Sequence, residues 1–111
     1  MRTALFCKTF SLLLATAFLY GCTTIRIGQD FDLSAFNQNV EHRVSSKADI
    51  RAWLGIPSGI GTTIQTDGQR LEKWTYYYGR GKLPGLKDVQ LRFLEIEFNN
   101  DGKVVSYNWT E

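Results

Sequence analysis

The sequence predicts an α+β domain, with two short N-terminal helices packed on a three- to four-stranded antiparallel sheet. Three patterns predict it. Leu33, Phe36 and Val40 recur at helical spacing, and Ser46-Lys47-Ala48-Asp49 has the form of a capping box with Asp in place of Glu. Beyond Pro57 the period changes to two: Trp74, Tyr76 and Tyr78 alternate with Lys73, Thr75 and Tyr77, as on a strand with one buried face. Turn sequences at Thr66-Asp67-Gly68 and Asn99-Asn100-Asp101-Gly102 then divide the apolar stretches into hairpin arms.

Residues 1–21 read as a targeting signal. Arg2 and Lys8 supply positive charge, and Thr9 to Leu19 is an uncharged, mostly apolar run of eleven residues. A spanning helix needs about 20 residues, so the run fits the apolar segment of a secretory signal. It ends at Leu19-Tyr20-Gly21-Cys22, which has the order of a bacterial lipobox: an aliphatic residue, a permissive position, a small residue, then the cysteine to be acylated. Cleavage after Ala15-Thr16-Ala17 is the alternative, and it leaves only Thr9 to Leu14, short against the usual ~7–15 residues. With Cys7 removed and Cys22 acylated, the mature chain has no thiol left to form a disulfide. Loss of Arg2 and Lys8 lowers 13 basic residues to 11, against 11 acidic ones. The mature chain is then neutral and lacks the basic excess of a nucleic-acid binder.

Residues 22–31 show no clear periodicity and are expected to be a loose lipidated tether, followed by the folded domain over 32–111. Asp32 is placed to cap the first helix. In the second helix Ile50, Trp53 and Leu54 share a face, and Gly55 with Pro57 stops it. Ile60 to Gln65 is a weak strand and Leu71 to Tyr78 a strong one. Gly79 to Gly85 is expected to be a loop. Val89 to Phe98 is a long strand whose phase changes: Val89, Leu91 and Phe93 have one parity, and Leu94, Ile96 and Phe98 the other. A β-bulge near Phe93 and Leu94 would place both sets on one face. Without a bulge the first set forms an outward apolar patch. Val104 to Trp109 returns as the last strand, with Val105, Tyr107 and Trp109 in phase.

These residues resemble the SmpA/OmlA lipoproteins, the family of the small BamE component of the outer-membrane β-barrel assembly machinery. The resemblance covers the lipobox at Cys22 and runs from about Asp32 to the end. It is carried by Ser46 and Ile50, Leu54-Gly55-Ile56-Pro57, Trp74-Thr75-Tyr76, Leu94-Glu95-Ile96-Glu97-Phe98 and Asp101-Gly102. The chain departs from the family pattern at Val44, where a glycine is expected, and in the segment Gly79 to Lys87. The resemblance implies a BamE-like helix-helix-sheet fold, no enzyme activity and no cofactor, and a membrane-anchored, periplasm-facing protein that works by contact with an envelope protein or with lipid. Thr23, rather than Asp, after the cysteine implies the outer membrane. Proteinaceous β-lactamase inhibitors share a similar fold, so an inhibitor-like or ligand-binding module of the periplasm is the alternative to an adaptor or scaffold.

The chemistry-bearing residues are few. Glu95 and Glu97 fall on one strand face roughly 7 Å apart, a spacing compatible with glycoside hydrolysis but equally that of a solvated sheet face, and nothing suggests a sugar cleft. His42 is the only histidine and sits near no nucleophile motif. No catalytic or metal-binding set is expected. Arg80, Lys82 and Lys87 are candidates for anionic headgroups or a partner, or else belong to a mobile surface loop. Tyr77 and Leu71, opposite in parity to Trp74 and Tyr76, are the candidates for outward partner contact.

Overall fold

A computed structural model describes residues 23–111, and the expected signal and Cys22 lie outside the described residues. The elements in order are β1 (Thr23–Gly28), α1 (Leu33–Asn39), α2 (Lys47–Leu54), β2 (Gly59–Ile64), β3 (Arg70–Leu83), β4 (Lys87–Phe98) and β5 (Val104–Thr110). The expected architecture of two N-terminal helices on a three- to four-stranded sheet is overturned. The sheet has five antiparallel strands, it dominates with 53% of the described residues in strand against 17% in helix, and a strand precedes both helices.

Two misread segments account for the difference. Thr23–Gly28, expected to be a loose tether, pairs in register with the far half of β3, from Thr23 opposite Leu83 to Gly28 opposite Tyr78. Gly79–Leu83, expected to be part of a loop, continues β3 to 14 residues. Both segments obtain their backbone partners from distant sequence, which composition does not reveal. On one edge of β3, β2 pairs with its first half and β1 with its second; β4 covers the other edge and β5 follows β4. The far halves of β3 and β4, with β1, form a three-stranded wing. Only Pro84 to Leu86 remain as the turn between β3 and β4.

The helices cover one face of the near half of the sheet. Asp32 caps α1, its Oδ1 accepting from the Ala35 amide at 3.0 Å. Ser46 and Asp49 form the reciprocal capping box of α2. Leu33, Phe36, Ile50 and Leu54 pack with Trp74, Tyr76, Leu94, Ile96, Phe98 and Val104 in one core. Trp74 meets the Phe98 ring edge-on at 4.8 Å. The Tyr76 hydroxyl donates to the Gly55 carbonyl at 2.8 Å, and burial pushes its pKa up to about 12, so it remains a donor to the end of α2. Where a glycine was expected at Val44, the left-handed backbone falls one residue earlier, at Arg43 (φ 65°).

There is no register shift at Phe93 and Leu94. The shifts lie between Arg80 and Lys82, and between Glu97 and Phe98. The second is a β5 bulge at Val105, so Val104 rather than Val105 enters the core opposite Phe98. His42 Nε2 donates to the Val105 carbonyl at 2.9 Å, tying the inter-helix turn to this bulge.

The capping box yields a stability test. Ser46→Ala should cost about 1 kcal/mol in urea denaturation, as N-cap losses do. Hydrogen bonds from the Ser46 amide and hydroxyl hold the Asp49 carboxyl below the usual carboxylate range. A depressed folded pKa stabilises above the unfolded value and loses that contribution as pH falls through the folded one. The difference between wild type and Asp49→Asn should therefore be full at neutral pH and shrink below about pH 4. A difference independent of pH would show that the carboxylate charge plays no part in the cap.

Candidate functional site

Most residues singled out by the family pattern are structural. Ser46 and Gly55 end α2, Pro57 follows it, Gly102 turns the chain, and Ile50, Leu54, Trp74, Tyr76, Leu94, Ile96 and Phe98 are core. They form the helix ends, the turn and the core that hold the sheet against the helices.

Leu71, expected to face a partner, is buried at 3% exposure, and this corrects its assignment. It has the outward parity, but it lies at the near end of the sheet, where it lines a cleft of about 500 Å³ together with the turn residues Gln65, Gln69, Asn99 and Asp101. Tyr77 does face outward, 42% exposed, and lies directly opposite Phe93 on β4.

Of the exposed apolar side chains, Ile25, Ile27, Leu83, Leu86, Val89 and Leu91 lie together on the wing, while Val44, Ile56, Ile60, Ile64, Tyr107 and Trp109 are exposed elsewhere. On the face away from the helices, Ile25 and Ile27 of β1 lie opposite Gly81 and Gly79 of β3, and Val89 and Leu91 of β4 flank the same glycines from the other side. Leu86 in the hairpin turn completes the wall. The result is a shallow groove of about 180 Å³, floored by two glycines and lined by aliphatic carbons. A methyl group at Gly79 would stand 3.2 Å from Leu91, and one at Gly81 3.3 Å from Leu86, so the floor exists because those residues lack side chains. The walls are open to solvent: Ile27 is 61% and Leu91 68% exposed. This is the outward patch expected in the absence of a bulge, enlarged by β1 and Leu86. Phe93, which shares the parity of Val89 and Leu91, is only half-exposed under Tyr77.

The opposite face of the wing is basic. Arg26 on β1 pairs in register with Arg80, and Lys82 with Lys87. The single acid of the wing, Asp88, sits 3.5 Å from Lys82. Arg80, Lys82 and Lys87 therefore lie on paired strands and not in a mobile loop. Arg92 does not belong to the patch. It is held by Asp30 at 2.6 Å and the Phe31 carbonyl at 2.9 Å, which fastens the β1–α1 connection to β4.

Ile25, Ile27, Gly79, Gly81 and Leu86 were missed as site residues. A signal was present: Ile25-Arg26-Ile27 and Gly79-Arg80-Gly81-Lys82-Leu83 alternate apolar or small residues with basic ones at period two. The glycines concealed it, since glycine-rich basic sequence ordinarily reads as a loop.

Glu95 and Glu97 share the outer face of the near half, with Glu95 3.6 Å from Lys73. Among the described residues no group of three His, Cys, Asp or Glu is arranged to hold a metal ion, and no helix is long and apolar enough to cross a membrane. Comparison with protein-family models, curated proteins and solved structures gives no match. The SmpA/OmlA resemblance therefore rests on the sequence motif alone.

Proposed function

We propose that this protein is a lipid-anchored lipoprotein of the outer membrane, facing the periplasm. It works without catalysis, as an adaptor or scaffold in outer-membrane protein assembly or envelope integrity. The lipobox order at Leu19-Tyr20-Gly21-Cys22 and the family motif support the anchor and the setting. The observation that carries the contact role is the aliphatic groove. Five exposed aliphatic side chains gathered over two glycines make a contiguous apolar surface, and such surfaces mark interaction sites.

The anchor is tested by Cys22→Ala, which should leave an unprocessed or mislocalised precursor without fatty acid. A wild-type chain that takes up no labelled fatty acid and leaves membranes in high salt would sink this reading. The adaptor role is tested by a photo-crosslinker at Ile27 in the anchored protein, expected to attach to envelope components, with a crosslinker at Glu97 as the comparison.

The second reading is an inhibitor-like or ligand-binding module of the periplasm, favoured by the groove's small size and wholly aliphatic walls. A soluble periplasmic protein captured at Ile27, with no membrane component, would favour it.

A further inference from the structure

We infer that the wing lies on an anionic bilayer surface, its aliphatic face sunk to the acyl boundary and its basic side chains standing among the headgroup phosphates. The inference rests on the reading of Cys22 as the lipid anchor, and it names what the groove contacts.

The first argument is where the chain outside the described residues ends. Cys22 is bonded to Thr23, and Thr23 is already paired with Leu83 beside the β3–β4 turn. Adjacent Cα atoms are 3.8 Å apart, so no slack lies between the acylated residue and the sheet. The expected ten-residue tether would have let the domain stand off the membrane. With those residues in β1, the anchor brings the tip of the wing to the headgroups.

The second argument is the order of side chains along the outer face. At the tip are Ile25, Ile27, Leu83, Leu86, Val89 and Leu91, all exposed aliphatics. Tyr77 and Phe93 follow as a cross-strand aromatic pair. Beyond them come Lys73, Glu95 and Glu97. The part of this face that meets acyl chains therefore ends at Tyr77 and Phe93, since aromatic rings prefer the interface and the charged side chains beyond them stay in water.

The third argument is charge. Arg26, Arg80, Lys82 and Lys87 have Asp88 as the acid within the paired strands of the wing, while Arg92, opposite Tyr78, is paired with Asp30 and Glu111. The first four occupy the reverse of the aliphatic face. An element with one apolar face and one basic face lies in the plane of an anionic interface, its apolar side entering about 5–10 Å.

The test uses the full chain, acylated in bacterial membranes and reconstituted into vesicles of phosphatidylcholine alone or mixed with phosphatidylglycerol. Leu91→Cys carries a polarity-sensitive fluorophore, and Glu97→Cys, on the same face at the far end, carries it as the comparison. With phosphatidylglycerol the Leu91 label should shift to the blue and be quenched by brominated acyl chains, while the Glu97 label should do neither. Replacing Lys82 and Lys87 by Gln together should shift the docked-to-free ratio about thirtyfold toward free, with little change in melting temperature, since both side chains are exposed and exposed charges contribute little to stability. A Leu91 label that stays in water on a chain carrying its acyl groups by mass spectrometry overturns the docking alone. A chain without acyl groups overturns the anchor reading and the inference with it. Energy transfer between differently labelled chains, with no quenching by lipid, would assign the groove to a second copy and also overturn the inference.

Discussion

Trp74→Ala should destabilise the protein by about 3–5 kcal/mol, the range for a large buried aromatic cut back to a methyl group. Trp74 is 5% exposed and lies at the centre of the helix-covered face. Its ring packs edge-on against Phe98, and its indole nitrogen donates to Glu72 at 3.2 Å. Truncation removes apolar area, the aromatic contact and a hydrogen-bond donor together. Glu72 would keep its ion pair with Lys47, so the loss should come mainly from the cavity and not from an orphaned charge. The comparison is Tyr77→Ala, three residues along the same strand with its ring on the other face. It should cost only about 1 kcal/mol, the upper value for a cross-strand pair such as Tyr77 with Phe93. Leu71→Ala should behave like a core substitution, at about 2–5 kcal/mol, although its parity is that of Tyr77. The measurement is urea denaturation with unchanged slope, so that shifts in midpoint report stability. Equal losses for Trp74 and Tyr77 would mean the faces are wrongly assigned. A small loss for Leu71 would mean the turns around it do not close.

Both helices and the core were legible in the sequence because their signals are local. A cap, a stop and a three-to-four spacing all lie within a dozen residues, and Asp32, Ser46, Gly55 and the stripe of Leu33 and Phe36 form as their spacing implies. The alternation of Trp74 and Tyr76 with Thr75 and Tyr77 gave the buried face of β3 in the same way. What was not legible depends on partners far away in sequence. Thr23–Gly28 has no buried residue, so it carries no core pattern. It is a strand because β3 offers it an unpaired edge 50 to 60 residues later. Gly79 and Gly81 read as loop residues because nothing local reveals that Ile25, Ile27, Leu86 and Leu91 will close over them. Leu71 failed for a related reason. Parity fixes the face on which a side chain emerges, but neighbouring turns decide whether that face is open. Arg80, Lys82 and Lys87 stand out in the sequence as a basic trio, but the strands that carry them and the apolar face behind them read there as tether and loop.

Gly28→Val should free β1 from the sheet while the helix-covered body stays folded. Two separate costs fall on this position. Gly28 has φ +72°, a region where a β-branched residue is an outlier, and strain of this kind is of order 1–3 kcal/mol. The space is also taken: a Cβ would overlap the Tyr77 carbonyl oxygen and press on the Tyr77 ring edge at 2.9 Å. A backbone carbonyl inside β3 cannot withdraw without breaking its own strand, so the cheaper response is for β1 to detach. Gly68→Ala separates the two costs. Gly68 has a similar φ of +85° with nothing within 4 Å of the added carbon, so only the backbone cost applies there and the loss should be near 1 kcal/mol. Detachment of β1 is affordable for the body because all six residues of β1 are exposed and none belongs to the core. In Gly28→Val the amides of residues 24–27 should therefore exchange with solvent at nearly unprotected rates, and protease should cut between Thr23 and Asp30. The near-ultraviolet signal of Trp74 and the protection of Leu94 and Ile96 should persist. Slow exchange in β1 of the variant would show that the strand can shift past Tyr77 without leaving the sheet. Collapse of protection in β4 as well would show that β1 is needed by the whole fold. If the strand alone is lost, Thr23–Gly28 becomes a loose tether, while Phe31 stays in the core. In the anchored protein the Leu91 label should then leave the bilayer even though every basic residue and every aliphatic side chain of β3 and β4 is still present. That outcome would locate the link between anchor and surface in the pairing of β1 with β3.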